Sequence, residues 1–280
     1  MDIGYQSKVR RIEFQGRELV LGRKTLIMGI LNMTPDSFSD GGDFLSVEKA
    51  MDHARQMILD GADILDIGGE SSRPGHTRIT AEEELERVIP IIRRIREESD
   101  ILISLDTIRS SVAEEGILAG ANIINDIWGL QLDTDMAKVA KKYDAPVIVM
   151  HNQEGTAYPE DMVQTMVAFF RESIGIAKEN GLRKDLLILD PGFGFGKTSD
   201  QNLALLSRIH ELRVLDYPIL LGTSRKSMIG KVLDLPPKER MEGTLATTVL
   251  GIVQGVDIVR VHDVRENVRA AAMTDAVVRR

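Results

Sequence analysis

The sequence has no cysteine among its 280 residues. It therefore has no disulfide bonds, no thiolate nucleophile and no zinc site with thiolate ligands, and any catalysis must use other side chains. Basic residues are also in deficit, because the formal net charge is −8 at pH 7. A general surface for nucleic acid or anionic membranes needs basic patches, so we expect neither nucleic acid nor a membrane as a partner.

Long hydrophobic runs are missing as well. No stretch approaches the ~18 consecutive apolar residues of a membrane helix, and residues 1–10 lack the apolar core of a secretion signal. Both absences predict a cytoplasmic protein. Hydrophobic residues make up 43% of the chain and charged residues 28%, which is typical of a globular protein with a sizeable core.

Eight short runs rich in Ile, Leu and Val recur along the chain, and each ends on a polar residue or a glycine. The eight ends are Asn32, Ser72, Asp106, Asp126, His151, Asp190, Gly222 and His262. The runs lack in/out alternation, as expected of parallel strands covered on both faces. The pattern predicts an α/β fold, a (β/α)8 TIM barrel whose strand ends and following loops build the active site. A doubly wound open sheet is the alternative, disfavoured because no glycine fingerprint follows the first strand.

The domain organisation follows from the same pattern. Residues 9–23 alternate weakly around Gln15-Gly16, which predicts a short N-terminal β-hairpin that closes the bottom of the barrel. We expect a single domain over residues 1–280, with the hairpin extension at 1–24 and the barrel at 25–280. One helix is predicted after each strand, at 47–60, 81–98, 110–119, 134–143, 162–180, 201–209, 241–254 and 264–278.

The first two strands are followed by polar loops, NMTPDSFSDGG and GGESSRPGHTR. Asn32 opens the first loop, and its amide oxygen suits a hard cation such as Mg²⁺, which keeps waters and bridges substrate phosphates. Hydroxyl and guanidinium donors in the second loop suit phosphate or carboxylate oxygens, so this loop is predicted to clamp an anion or substrate. For either loop the alternative is a solvated turn.

Asp106, Asn125 and Asp190 stand at the ends of three apolar strands. Burying such groups without a partner costs several kcal/mol, so neighbours or a ligand must satisfy them. Carboxylates accept and an amide both donates and accepts, which suits the mixed edge of a nitrogen heterocycle. General acid/base chemistry by paired carboxylates is an open alternative, whereas a metal-only site lacks His-rich ligands. Asp126 is expected to cap or orient this set.

The later loops carry aromatic and basic groups. After Asp190 the run PGFGFGKT lacks the spacing of a Walker phosphate loop, which disfavours ATP binding, and its phenylalanines suit either a flat aromatic substrate or the core. Lys226 follows the seventh strand, and Arg260 and His262 alternate at the end of the eighth. The loops after these strands are the usual anion site of this barrel, so a diphosphate is the natural ligand. Alone, His262 would be interpreted as structural.

Seven motifs in this order resemble those of the dihydropteroate synthase family: NMTPDSFSDGG, DIGGESSRPG, ISLDT, NDIWG, DPGFGFGKT, GTSRKS and RVHDV, spread over residues 26–264. The resemblance implies a transferase of folate biosynthesis on a (β/α)8 barrel. Such an enzyme joins 4-aminobenzoate to 6-hydroxymethyl-7,8-dihydropterin diphosphate and releases diphosphate and 7,8-dihydropteroate. It also implies Mg²⁺ as cofactor and a homodimer.

The resemblance also implies roles for individual residues. Asn32 matches the Mg²⁺ ligand, and Ser72 matches a hydroxyl position that contacts the diphosphate. The residues that match the pterin and diphosphate site are Asp106, Asn125, Asp190, Lys226, Arg260 and His262. All of them except Asn125 are also expected to take part in catalysis. The residues that match the 4-aminobenzoate pocket are Thr34, Pro35, Phe38, Arg73, Pro74, Phe195 and Ser227.

Two rival functions share parts of this pattern. A methyltetrahydrofolate-binding methyltransferase barrel would use similar acid and amide contacts but has no use for a diphosphate clamp at Lys226, Arg260 and His262. A non-catalytic pterin-binding module would not require both intact loops after the first two strands. Both features favour the synthase.

Overall fold

The computed structural model describes residues 8–33, 43–70 and 78–279. Its first element is an antiparallel hairpin of β1 (Arg10–Phe14) and β2 (Arg17–Leu21). Gln15 and Gly16 form the turn with φ of 50° and 70°, and glycine adopts such angles without strain. One face of the hairpin is apolar and buried.

The hairpin covers the N-terminal end of the barrel, as predicted. The amide of Gln15 donates to the backbone carbonyls of Asn122 and Tyr143, at 3.4 and 3.2 Å, and both carbonyls lie just before barrel strands. Arg17 donates to the carbonyl of Asp100 at 2.9 Å. The hairpin therefore joins several separate connections at the bottom of the barrel.

Eight parallel strands form the barrel in chain order. They are β3 (Leu26–Asn32), β4 (Ile64–Gly68), β5 (Leu102–Asp106), β6 (Ile123–Asp126), β7 (Val147–Met150), β8 (Leu187–Asp190), β9 (Leu220–Leu221) and β10 (Ile258–Val261). β10 pairs with both β3 and β9, and a bridge between Leu189 and Ile219 brings β8 beside β9. The predicted (β/α)8 barrel with an N-terminal hairpin is confirmed.

The predicted strand ends agree with the structure except at β4. That strand ends at Gly68, and Ser72 lies outside the described residues, so the predicted end at Ser72 was too late. The strand ends early because the backbone bends at Gly69, close to helix residue Val88. A Cβ at this position would lie 2.8 Å from the Val88 side chain, so a glycine fits the bend. His151, Gly222 and His262 each follow their strand directly.

The described chain forms helices α1 (Asp43–Leu59), α2 (Ala81–Glu98), α3 (Ser110–Ala119), α4 (Met136–Lys142), α5 (Met162–Glu179), α6 (Ser199–Leu206), α7 (Ser227–Leu233), α8 (Met241–Val253) and α9 (Val264–Val278). The eight predicted helices are present within a few residues. Helix α7 was not predicted, because its seven residues contain Gly230 and its N-cap, Lys226, makes no capping hydrogen bond with its side chain.

No helix within 8–33, 43–70 and 78–279 is long and apolar enough to span a membrane. The assignment of the whole chain to one domain, divided at residues 24 and 25, stays a prediction.

Removing the largest side chain of the hairpin should destabilise the protein. Phe14 is 2% exposed in the central core, so we expect Phe14→Ala to lower the free energy of unfolding in urea by about 3–5 kcal/mol. Val9→Ala is the matched control, because Val9 is 48% exposed and its truncation should change that free energy by less than about 0.5 kcal/mol. Equal effects of the two substitutions would contradict burial of the hairpin against the barrel.

Candidate active site

A cleft opens at the C-terminal ends of the strands and gathers most of the predicted pterin residues. Its lining comprises Asp106, Asn125, Ile127, Met150, Asp190, Phe193, Phe195, Gly222, Lys226 and Arg260. These residues lie on or just after β5, β6, β7, β8, β9 and β10. Residues separated by more than 150 positions are thus neighbours because parallel strands of a barrel end at one rim.

Arg260 crosses the barrel interior and joins two carboxylates. Its Nε donates to Asp66 at 2.6 Å, and its Nη2 donates to Asp106 at 2.9 Å. The exposed fractions of these side chains are 17% for Arg260, 11% for Asp106 and 0% for Asp66. Burying two carboxylates without a counter-charge would be energetically costly. The guanidinium of Arg260 compensates their negative charge.

Burial raises the pKa of Asp106 to about 7, although the ion pair with Arg260 opposes that rise. The like charge of Asp66 adds to the rise. Burial also raises the pKa of Asp190. Both acids therefore bind protons at a higher pH than ordinary aspartates and depend on positive charge to remain ionised.

Asn125 lies beside Asp66, and its Nδ2 donates to the two carboxylate oxygens of Asp66 at 3.4 and 3.3 Å. Its Oδ1 is buried and has no hydrogen-bond partner in the described part of the chain. A buried acceptor without a partner is costly. At the wall of a cleft it is available to a ligand N–H.

Asp190 is held by the loop that follows it. Its Oδ1 accepts from the backbone N–H of Gly192 at 2.7 Å. Gly192 has φ of 68°, and a Cβ there would lie 2.0 Å from the carbonyl oxygen of His151. Only glycine fits this close approach between two strand-end loops.

Lys197 stabilises the same loop from inside. Its Nζ lies 3.0 Å from the carbonyls of Gly192 and Phe195 and 3.0 Å from Nδ1 of His151, and the side chain is buried. Burial lowers the pKa of Lys197 to about 7, and burial and Lys197 together lower that of His151 to about 3. The lysine therefore points into its own loop rather than toward a bound phosphate, and His151 is a neutral structural group.

The two phenylalanines of this loop have different environments. Phe193 is 1% exposed and belongs to the core, although one side of it lines the cleft. Phe195 is half-buried, and Nζ of Lys226 lies 4.4 Å from its ring centroid. A cation over an aromatic face is favourable, so Phe195 and Lys226 form one side of the cleft together.

His262 lies on the rim beside the cleft and is held by Ser224. The Ser224 hydroxyl is 2.9 Å from Nδ1 of His262 and accepts from its backbone N–H at 3.2 Å. Burial, with help from Arg225 and Arg260, lowers the pKa of His262 to about 3. The imidazole is neutral at pH 7, and in the tautomer in which the Ser224 hydroxyl donates to Nδ1 the ring proton is on Nε2.

Asn32 ends β3, the strand between β4 and β10. A Cβ on Gly68 would lie 3.7 Å from Oδ1 of Asn32 and 3.5 Å from Cβ of Asp106, so the glycine leaves a gap between these side chains. No group of three or more His, Cys, Asp or Glu residues arranged for a metal occurs within the described ranges. An ion at this rim would therefore take an amide oxygen from Asn32 and further oxygens from water and phosphate, a set that suits Mg²⁺.

Several predicted site residues lie outside the described residues or outside the cleft. Those outside the described residues are Thr34, Pro35, Phe38, Ser72, Arg73 and Pro74. Ser227 is described, and it is the exposed first residue of α7, next to Lys226 and not in the lining of the cleft.

The flanks of the second loop are held by one arginine. Arg109 donates to Glu70 at 2.7 Å, to Glu84 at 2.5 Å and to the carbonyl of Ile79 at 2.6 Å. Glu70, at the start of the second loop, is thus paired with Arg109. Asp126 accepts from the backbone N–H groups of Trp128 and Leu130 at 2.9 and 2.6 Å, so it holds its own loop, whereas the sequence predicted that it would cap or orient Asp106, Asn125 and Asp190.

Sequence reasoning missed Asp66, Ser224 and Arg240. Arg240 donates to the carbonyls of Arg225 and Lys226 at 3.0 and 3.3 Å and so supports the loop that carries Lys226. Asp66 had a detectable signal, because an acid inside the apolar run DILDIGG must have a partner. Ser224 and Arg240 had none, since their partners are defined only by the folded chain.

Comparisons with known proteins agree with this geometry. Residues 28–262 match the model of a family described as pterin binding enzyme. A dihydropteroate synthase of Clostridium beijerinckii is 55% identical over 265 residues, which are 94% of this chain and 98% of that protein. Both results cover the strands and loops that form the cleft.

Solved structures give the same result. A dihydropteroate synthase from Clostridium difficile, determined in the presence of pteroic acid, has a TM-score of 0.91 and 57% identity, covering 93% of this chain and 99% of that one. One from Xanthomonas albilineans with 4-aminobenzoic acid has a TM-score of 0.91 and 39% identity, covering 96% and 98%. The chain therefore belongs to the pterin-binding enzyme family and, within it, to the dihydropteroate synthases.

Proposed function

We propose that the cleft binds 6-hydroxymethyl-7,8-dihydropterin diphosphate and that the protein joins its methylene carbon to the amine of 4-aminobenzoate. The observation that carries the proposal is the convergence of Asp106, Asn125 and Asp190 on the wall of one cleft that Lys226 and Arg260 also line. Acceptors at that wall suit the N–H-rich edge of a pterin ring. The similar structures that contain pteroic acid or 4-aminobenzoic acid support the same pair of substrates.

The diphosphate is proposed to lie toward β3 and β10. Arg260 uses two N–H groups for Asp66 and Asp106, which leaves three of its five donors. Neutral His262 offers the N–H of Nε2, and Ser72 is proposed to add a hydroxyl. These donors stabilise negative charge as it develops on the leaving group.

Asn32 is proposed to hold Mg²⁺ together with water and diphosphate oxygens. When bound, the ion would neutralise charge on the leaving diphosphate. A synthesis rate that is unchanged by a chelator and by Asn32→Ala would contradict this role.

In the proposed order of bond changes, the C–O bond to diphosphate breaks first and its electron pair leaves with the diphosphate. Asp106 and Asp190 stabilise the electron-poor pterin methylene, the amine nitrogen then forms the new C–N bond, and the amine loses one proton to solvent. Lys226 lies between the two halves of the site, over Phe195. Diphosphate release that depends strictly on amine concentration at saturating pterin substrate would contradict dissociation first.

The 4-aminobenzoate pocket is proposed to comprise Thr34, Pro35, Phe38, Arg73, Pro74, Phe195 and Ser227. Of these, Phe195 has the clearest structural support, because its half-buried ring lines the cleft beside Lys226. A flat aromatic substrate can stack on such a ring.

We also propose that the enzyme acts in the cytoplasm as a homodimer. Adjacent helices α8 and α9 expose Leu250, Met273 and Val277, and exposed apolar patches of this kind are common at interfaces between subunits. A sedimentation mass equal to the 31.1 kDa of one chain, rather than twice that mass, would contradict the dimer.

The central test is synthesis by the purified protein. With the dihydropterin diphosphate, 4-aminobenzoate and Mg²⁺, we expect 7,8-dihydropteroate and diphosphate in equal amounts, measured by chromatography. We expect no methyl transfer from methyltetrahydrofolate to a methyl acceptor. Such transfer would instead indicate the rival methyltransferase. Pterin binding without dihydropteroate, in protein whose folding is verified, would instead support a binding module.

Phe195→Leu should weaken use of 4-aminobenzoate more than use of the pterin substrate. Loss of the ring face removes a contact worth about 1 kcal/mol, so KM for 4-aminobenzoate should rise roughly 3- to 10-fold while KM for the pterin diphosphate changes less than about twofold. Phe170→Leu is the matched control, because this ring is fully buried on α5 outside the lining of the cleft and its substitution should affect unfolding more than either KM. Equal rises in both KM values for Phe195→Leu would refute the assignment.

Pterin affinity should fall as the pH is lowered. The pKa of Asp106 is raised, to about 7, so in the free protein this acid becomes protonated as the pH falls through that value and loses its charge-assisted hydrogen bonds. Below about pH 7 the pterin Kd from calorimetry should rise roughly tenfold per pH unit. Asp106→Asn should bind weakly and lack this pH dependence. If the pterin Kd of Asp106→Asn rises at low pH as much as that of the wild-type protein, another group is responsible for the pH dependence.

A further inference from the structure

Asp66 is a carboxylate that touches two site residues without lining the cleft. It lies in the middle of β4, is 0% exposed, and is absent from the lining. Its partners are Nε of Arg260 at 2.6 Å and Nδ2 of Asn125 at 3.3 Å. A fully buried carboxylate persists only where such donors compensate its desolvation.

The contact with Asn125 decides how its amide is oriented. A carboxylate only accepts hydrogen bonds, so the NH2 group must face Asp66 and the oxygen must face away. The oxygen is buried and has no hydrogen-bond partner among the described residues, and Asn125 is one of the residues that line the cleft. With Asp66 ionised, turning the amide over would place oxygen against oxygen, so Asn125 offers the ligand an acceptor.

The contact with Arg260 decides how the guanidinium is oriented. Nε and Nη2 lie on one edge of the planar group, and that edge is occupied by Asp66 and Asp106. The group is rigid and planar, so fixing this edge also fixes the direction of the remaining N–H donors.

We infer that Asp66 is a positioning residue: it sets the Asn125 amide with its oxygen toward the ligand and fixes the guanidinium of Arg260, without touching the substrate. The inference deepens the proposed function and rests on it for the identity of the ligand. Three acceptors from Asn125, Asp106 and Asp190 then face one ligand edge, which selects a ring that presents N–H groups and disfavours one that presents a carbonyl there.

Asp66→Asn tests the orientation directly. The new side chain is isosteric, and its carbonyl would still accept from Arg260 while its NH2 faces Asn125. Asn125 would then turn over and present NH2 to the cleft. Calorimetry should show at least a tenfold rise in the Kd of 6-hydroxymethylpterin. The preference for this ligand over its 2-oxo analogue should also fall at least tenfold.

Asp257→Asn is the matched control. Asp257 is a buried aspartate at the opposite end of the barrel, where it accepts from the backbone N–H of Ile219 at 3.0 Å. Its substitution should lower stability and leave the ligand preference within twofold of wild type. An unchanged preference in Asp66→Asn would overturn the inference, since a merely structural role would alter stability alone.

A second measurement needs no ligand. In nitrogen-15 spectra of the wild-type protein, the side-chain amide of Asn125, assigned as the signal lost in Asn125→Asp, should exchange slowly with solvent because one proton is bonded to Asp66. Fast exchange in wild type, or an identical signal in Asp66→Asn, would overturn the inference even if that variant folds poorly. If wild type binds no pterin, the proposed function fails, and this signal still decides the role of Asp66.

Discussion

The pairing of one guanidinium with two buried carboxylates is the interaction on which the site depends. Arg260 reaches from β10 to Asp66 on β4 and Asp106 on β5, and it does so inside the barrel. Without that positive charge nothing of opposite sign would compensate the two carboxylates, and an isolated buried carboxylate is too costly. The acceptors proposed for the pterin ring and the donors proposed for its diphosphate are thus two sides of the same charge pair.

Hydrogen bonds from basic side chains to backbone carbonyls hold the loops that carry the remaining groups of the site. Lys197 satisfies two carbonyls of its loop and a ring nitrogen of His151, which keeps Asp190 and Phe195 in place at the cleft. Arg240 likewise donates a hydrogen bond to the backbone carbonyl of Lys226. Side chains that donate to backbone carbonyls hold these loops in place, and a rigid site loses less entropy when it binds a ligand.

The barrel and most of the cleft were predictable, because both follow from strand periodicity. Asp106 and Asp190 end apolar strands, Asn125 is next to the end of one, and strand ends of a parallel barrel share a rim. Helix α7 was not predictable, since seven residues with a glycine have no helical signature. The end of β4 was placed too late because the bend at Gly69 depends on its approach to α2.

By itself the sequence determined the eightfold alternation, the hairpin and the polar residues of the rim, because these depend on local periodicity and residue chemistry. Only the tertiary structure decided which polar groups are partners. It joined Asp66 to Arg260 across 194 positions, turned Lys197 into its own loop and left the oxygen of Asn125 buried without a hydrogen-bond partner among the described residues. Hydrogen-bond partners and burial depend on distances between remote segments, and those distances exist only once the barrel has closed.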